Sequence, residues 1–371
     1  MKAKSFLLLA GCIVGTSIVV CLYGDPKPTL NGIVSETHRQ LNNLKHLKVV
    51  PEHEPQELER YLVHLGLVVG QSSTAASPQR GSSSPSVPST APATPWPPAG
   101  SSLPVVGTAL TGEQLSRLPG FLEACQTHFA DHPVAIYALD FSAAQVMTAH
   151  NLCNSSNCTL RQLNFAFYPS HISNLKIYAY RPIVIQELLR QSGAVLWVDP
   201  EYQLCGSPER VLSKVRREGL GAPQAPGHQP TSALTHLGMF EYLHASREAF
   251  FFQRMVNTAV LLVFDSPQVR HNLMLPWVRC ALVPECIAPV GAQSTGCRFD
   301  KKPLYRYSGC HRYDVSALNV ILGMHYGNNK QPYVFSEEDH FFRKVPDGTN
   351  LSSSSASPAS ADGNKTGHAV R

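Results

Sequence analysis

One stretch constrains this chain more than any other: Asn174 to Leu204, NLKIYAYRPIVIQELLRQSGAVLWVDPEYQL. Its first half has helical spacing. Pro182 suits a first helical turn, where a missing N–H costs nothing. Ile185, Leu188 and Leu189 share one face, and Gln186, Glu187 and Arg190 fall off it. Gly193 supplies a stop. Ala194 to Val198 is then a continuous apolar run, the pattern of a strand buried on both faces. Asp199 follows directly, with Glu201 two residues on. Helix, buried strand and acid in that order predict an α/β fold with a ligand at the carboxyl end of the strand. The plainer alternative is an ordinary Asp-Pro-Glu turn with solvated carboxylates.

Asp-x-Asp/Glu after an apolar strand is also the metal-binding signature of nucleotide-sugar glycosyltransferases. Mg²⁺ or Mn²⁺ takes one or two carboxylates together with substrate phosphates, and neutralises the leaving diphosphate.

The rest of the chain predicts a layered organisation. Lys2 and Lys4 precede an uncharged apolar run from Phe6 to Tyr23. That run is long enough for a thin bilayer and is oriented with residues 1–5 in the cytosol. An uncleaved signal anchor is expected; a cleaved signal peptide is the competing reading. Residues 24–110 read as a stem, with helical spacing near Glu57 to Leu67. Within it, Gln71 to Pro104 holds 21 Ser, Thr or Pro among 34 residues and only one charge, Arg80. Such a segment cannot bury a core and reads as an O-glycosylated stalk. The folded domain is expected over 111–345, and a Ser-rich disordered tail over 346–371.

Inside the domain, Thr111 and Gln114 match a capping box. Pro133 to Leu139 reads as a first core strand, with Asp140 at its carboxyl end, near a nucleotide if the sheet is parallel. Asn257 to Phe264 reads as another buried strand. Ser266 to Ala281 reads as a helix kinked at Pro276. His236 and Gly238 stand two apart, with Gly238 suited to close backbone approach or a tight bend. The structural alternative for His236 is a satisfied, partly buried histidine. His311, Arg312 and Asp314 cluster before an apolar helix, a place suited to an anionic group or simply to an N-cap.

Sequons begin at Asn154, Asn157, Asn350 and Asn364. They agree with a lumenal location, where the eight cysteines after residue 100 would be disulfide-bonded rather than zinc-bound. Cys153/Cys158, Cys280/Cys286 and Cys297/Cys310 are near neighbours, although eight cysteines allow 105 connectivities. The net charge of +5 is spread out and forms no basic stripe, which argues against nucleic acid.

Taken in order, NLKIYAYRPIVIQELL, GAVLWVDPEYQL, HLGMFEYL, NTAVLLVF, PWVRCALVPECIAP and GCHRYDVSALNVIL resemble a group of uncharacterised animal type II membrane proteins. These look like GT-A-type nucleotide-diphospho-sugar transferases, and the resemblance covers Leu118 to Tyr326. It implies a GT-A-like (Rossmann-type) mixed sheet flanked by helices, behind a transmembrane anchor and disordered stalk. It implies a Golgi membrane enzyme with a nucleotide-sugar donor, a UDP-sugar, and a glycan or glycoprotein acceptor. By that resemblance Asp199, Glu201 and His311 would hold Mn²⁺ or Mg²⁺. Arg181 would face the donor diphosphate, and Asp314 would position the acceptor or act as base. By their places in the sequence rather than by the resemblance, Asp140 and Arg312 are expected near the donor, and His236 and Gly238 near substrate. Pro200 and Glu201 depart from the small hydroxyl residues of the pattern. A fold that has lost catalysis and serves as a lumenal binding or scaffold protein is therefore a second reading. A disulfide-rich cell-surface interaction protein is a third, against which the alternation of helices and buried strands argues.

Overall fold

A computed structural model describes residues 55–69 and 103–345, apart from 156, 301, 337, 338 and 340. The expected anchor over 6–23, most of the Ser/Thr/Pro-rich segment, the tail, Asn350 and Asn364 lie outside the described residues. Among the described residues, no helix is long and apolar enough to cross a membrane.

The principal elements are α1 (Pro55–His64), β1 (Val105–Leu110), α2 (Leu118–His128), β2 (Val134–Ala138), α3 (Ala143–Leu152), β3 (Cys158–Gln162), α4 (Tyr180–Ser192), β4 (Ala194–Val198), β5 (Tyr202–Leu204), α5 (Glu209–Glu218), β6 (Leu220–Gly221), α6 (Leu237–Tyr242), β7 (Val260–Phe264), α7 (Leu275–Leu282), α8 (Tyr313–Tyr326) and β8 (Phe342–Lys344). Six strands form one mixed sheet in the order β3-β2-β1-β4-β7-β6. β1, β2, β3 and β4 run parallel, and β7 is antiparallel to β4. β5 and β8 make a separate two-stranded ribbon.

Both faces of the sheet are covered, which explains the unbroken apolar runs. Val105, Ala109, Val195, Trp197, Leu261 and Val263 point to one core with α4, α7 and α8. Val106, Leu110, Leu196, Val198, Leu262 and Phe264 point to the other, with α2 and α5. Gly107 brings the first layer close: a Cβ there would lie 2.7 Å from Leu188 Cδ1 of α4. Gly193 ends α4 in the left-handed region, at φ 73°.

The fold begins earlier than Thr111. β1 lies within the segment expected to be stem, yet it sits at the centre of the sheet, between β2 and β4. α1 also falls in that segment, and its Leu62 and the following Leu65 are buried in the first core. Gln186, expected off the apolar face of α4, is buried as well. Its Nε2 donates to the Leu65 carbonyl at 3.0 Å. The helix expected to kink at Pro276 instead widens before it. Residues Arg270–Met274 form a π turn in which Leu275 N–H donates to Arg270 O. Proline's missing N–H is accommodated there without breaking the helix.

Disulfides join Cys153 to Cys158, Cys280 to Cys286 and Cys297 to Cys310. The remaining pair of the expected eight does not form: Cys125 is a buried thiol and Cys205 an exposed one.

The segment leading into β7 is held to α8 by a side chain. Asn319 Oδ1 accepts from Val256 N–H at 2.7 Å, and its Nδ2 donates to Val256 O at 2.9 Å and to Val315 O at 2.8 Å. Asn319→Ala leaves a buried N–H and a buried C=O unpartnered. A loss of about 2–4 kcal/mol in denaturant unfolding is expected. A loss below about 0.5 kcal/mol would mean that water replaces the amide.

Candidate functional site

The sheet places the site at a reversal of strand order. From β1 the chain builds outward to β2 and β3 on one side, then returns to β4 on the other. The carboxyl ends of β1 and β4 therefore lie at the switch point of the sheet, the usual ligand position in open α/β sheets. Asp199 is the first residue after β4. Its N–H donates to Ala259 O at 2.7 Å, which ties it to the start of β7.

Asp199, Arg181 and Asp314 come from the end of β4, the first turn of α4 and the first turn of α8. They meet in one buried cluster, 7%, 3% and 1% exposed respectively. Arg181 Nε donates to Asp199 Oδ1 at 3.3 Å, and its Nη2 donates to Asp199 Oδ2 at 2.5 Å. Its Nη1 donates to Asp314 Oδ2 and, at 2.9 Å, to Thr258 Oγ1. Thr258 hands its own proton to Asp314 Oδ2 at 3.1 Å. Trp197, two residues before Asp199 and on the same strand face, donates Nε1–H to Asp199 Oδ1 at 2.8 Å. The Tyr178 ring covers the guanidinium, with Arg181 Cζ 4.4 Å from its centroid.

Two residues beside this cluster occupy left-handed backbone without being glycine: Tyr178 at φ 53° and Tyr313 at φ 45°. They precede Arg181 by three residues and Asp314 by one. Non-glycine residues in this region cost energy and gather at functional sites.

The electrostatics follow from burial. Desolvation pushes the carboxyl of Asp314 up, to about 6, although Arg181 beside it pulls the other way. Asp199 is raised for the same leading reason. One guanidinium stands against two carboxylates, so the cluster carries a net negative charge when all three groups are ionised.

The other expected site residues fall elsewhere. His311 is fully buried. Its Nδ1 accepts from His236 N–H at 3.1 Å, so Nε2 carries the proton and donates to Ile287 O at 3.0 Å. Burial lowers its pKa to about 4. His236 caps α6, with Nδ1 accepting from Gly238 N–H at 3.1 Å. Gly238 allows close approach to protein: a Cβ there would meet Pro289 Cβ at 3.0 Å. Arg312 Nη1 donates to Ser294 O at 2.9 Å, beside the Cys297–Cys310 disulfide. Asp140 is exposed at the end of β2, and its Oδ1 accepts from Gly112 N–H at 2.6 Å. Glu201 is partly exposed in the turn after β4. Asn154 is exposed and Asn157 partly so, both within the Cys153–Cys158 loop.

These residues do not fit a metal. Both oxygens of Asp199 are taken by Arg181, and both ring nitrogens of His311 by backbone groups. Among the described residues, no three His, Cys, Asp or Glu side chains gather as a ligand set. The structure does not bring the expected trio of Asp199, Glu201 and His311 together as such a set: Asp199 is paired with Arg181, and His311 is buried on backbone groups.

Thr258, Trp197 and Tyr178 complete the cluster and were not anticipated. Trp197 was within reach, since i and i+2 share a strand face. Thr258 joins through the antiparallel pairing of β7 with β4, which no local pattern announces.

No family model matches this sequence, and no curated protein matches it. Among solved structures, the fold is similar to the mannosyltransferase Ktr4p of S. cerevisiae at 9% identity, covering 79% of this chain and 87% of that one, with TM-score 0.40. It is similar to mouse xyloside xylosyltransferase 1 at 10% identity, covering 62% and 84%, with TM-score 0.38. It is similar to the bifunctional glycosyltransferase WbbM at 13% identity, covering 48% of this chain, with TM-score 0.35; this chain spans only 34% of that protein's length. All three are glycosyltransferases, and at scores this low the likeness transfers no residue role to this chain.

Proposed function

We propose that this chain is a glycosyltransferase that moves a sugar from a nucleotide-sugar donor, a UDP-sugar, to a hydroxyl of a glycan or glycoprotein. The observation that supports it best is the acid at the end of β4, set where the strand order reverses and joined to the first turns of α4 and α8. In the reaction the bond from sugar C1 to the diphosphate oxygen breaks, a bond from C1 to the acceptor oxygen forms, and the acceptor proton passes to the departing diphosphate or to solvent. Asp140 and Glu201 are the open carboxylates at the strand ends, available to donor and acceptor hydroxyls. Residues 6–23 would hold the enzyme in the Golgi membrane, with Asn154 and Asn157 glycosylated on the lumenal side.

One observation favours a second reading, a lumenal binding or scaffold protein that keeps the fold without turnover: Asp199 is closed off by Arg181. The two readings separate in one experiment. The full chain in detergent is titrated with UDP- and GDP-sugars, and sugar release is followed with a glycan acceptor present. The transferase reading expects saturable binding with turnover, and about tenfold weaker binding for the exposed variant Asp140→Ala. Binding without transfer to any of a panel of acceptors supports the scaffold. A folded chain that binds no nucleotide-sugar excludes the transferase.

A further inference from the structure

We infer that this site carries its own cation: the Arg181 guanidinium occupies the place between Asp199 and Asp314 that a divalent ion would take, so donor binding here needs no metal. The inference rests on the transferase reading for its second half only. The first half stands on the geometry alone.

Three features converge on it. The carboxylate at the end of β4 is the ligand a divalent ion would use, and it is held by Nε and Nη2 of one guanidinium, a side-on fork with an N–H on each oxygen. The second acid, Asp314, reaches the same guanidinium from a different helix, through Nη1. The guanidinium thus bridges two acids from distant parts of the chain, as a bridging ion would. Third, Arg181 is fixed rather than passing through. Thr258 accepts from Nη1 and the Tyr178 ring lies over the guanidinium plane. A metal ion would have to expel a buried arginine from two carboxylates, a hydroxyl and a ring.

Charge distinguishes the two arrangements. Arginine supplies one positive charge where Mg²⁺ or Mn²⁺ supplies two, and it stays protonated at every physiological pH. It also presents N–H donors in place of an ion's open coordination positions. A site built this way responds neither to chelators nor to the supply of Mn²⁺.

The test measures Mn²⁺ directly. The full chain in detergent is titrated with Mn²⁺ while the free-ion electron paramagnetic resonance signal is read. Wild type is expected to leave that signal unchanged. Arg181→Gln, which frees both acids, is expected to deplete it and so to gain a Mn²⁺ site. Depletion by wild type that is abolished in Asp199→Asn would overturn the inference. If Arg181→Gln does not fold, the wild-type titration still decides. UDP-sugar binding is then compared with EDTA and with Mn²⁺. Equal affinity in both supports metal-independent binding, whereas affinity lost in EDTA overturns it. Absence of nucleotide binding under both conditions sinks the transferase reading, and the Mn²⁺ titration separately settles which cation the acids hold.

Discussion

Arg181→Met is expected to destabilise the fold by about 3–5 kcal/mol, because it leaves Asp199 and Asp314 charged, buried and facing one another. The loss does not equal the worth of the ion pairs. Most of it is the cost of two uncompensated carboxylates. Two companion results follow from that reasoning. The triple variant Arg181→Met, Asp199→Asn, Asp314→Asn should recover most of the stability, since amides need no counter-charge. The single variant should also be least impaired at acidic pH, where both carboxyls take up protons. Urea unfolding of the three proteins at two pH values measures all of this. A deficit under about 1 kcal/mol at neutral pH would show that water reaches the acids and that the cluster is less closed than its burial indicates.

The second large effect is a pH dependence carried by His311. Its folded pKa is lowered to about 4, chiefly by burial, from an ordinary 6.5. The unfolded chain therefore binds this proton more readily than the folded one. The contribution to stability is full above pH 6.5 and is lost as pH falls toward 4. Asp314 runs the other way. Its carboxyl is raised to about 6, so its contribution is full below the ordinary carboxylate range and is lost as pH rises through 6. The wild-type profile sums these opposed slopes with those of other shifted groups, Asp199 and His132 among them, which makes a difference measurement necessary. His311→Gln keeps a donor for Ile287 O and an acceptor for His236 N–H, but does not titrate. Relative to that variant, wild type should gain on the order of 3 kcal/mol between pH 4 and pH 6.5. A pH-independent difference would mean that the imidazole protonates in the folded chain as freely as in the unfolded one.

Much of the central architecture was legible because it was locally encoded. Ala194 to Val198 is apolar on every residue and ends on an acid, and β4 has those bounds. Gly193 terminates the preceding helix as its spacing indicated. The three disulfides close short loops, so proximity along the chain was a fair guide. β1 was not legible. Val105-Val-Gly-Thr-Ala-Leu110 borders a Pro-rich segment and holds small residues, because α4 packs so closely over Gly107. Small side chains fit that position and weaken the strand signal at once.

The site was legible in part for the same reason. Asp199, Arg181 and Asp314 were each marked by the segments that carry them. Their mutual pairing was not, because Arg181 and Asp314 are separated by 133 positions. A histidine with both nitrogens on backbone groups also looks, in sequence, like a histidine with a ligand to bind. Only the Ile287 carbonyl and the His236 amide distinguish them.

The docking of α1 has a topological consequence. Leu62 and Leu65 before the Ser/Thr/Pro-rich segment, and β1 after it, belong to one hydrophobic core. A chain cut back to begin at β1 would strip Leu62 and Leu65 from that core and leave Gln186 Nε2 without the Leu65 carbonyl. The smallest piece that keeps this core whole therefore starts at α1, and a shorter one exposes apolar surface on α4 that the helix now covers.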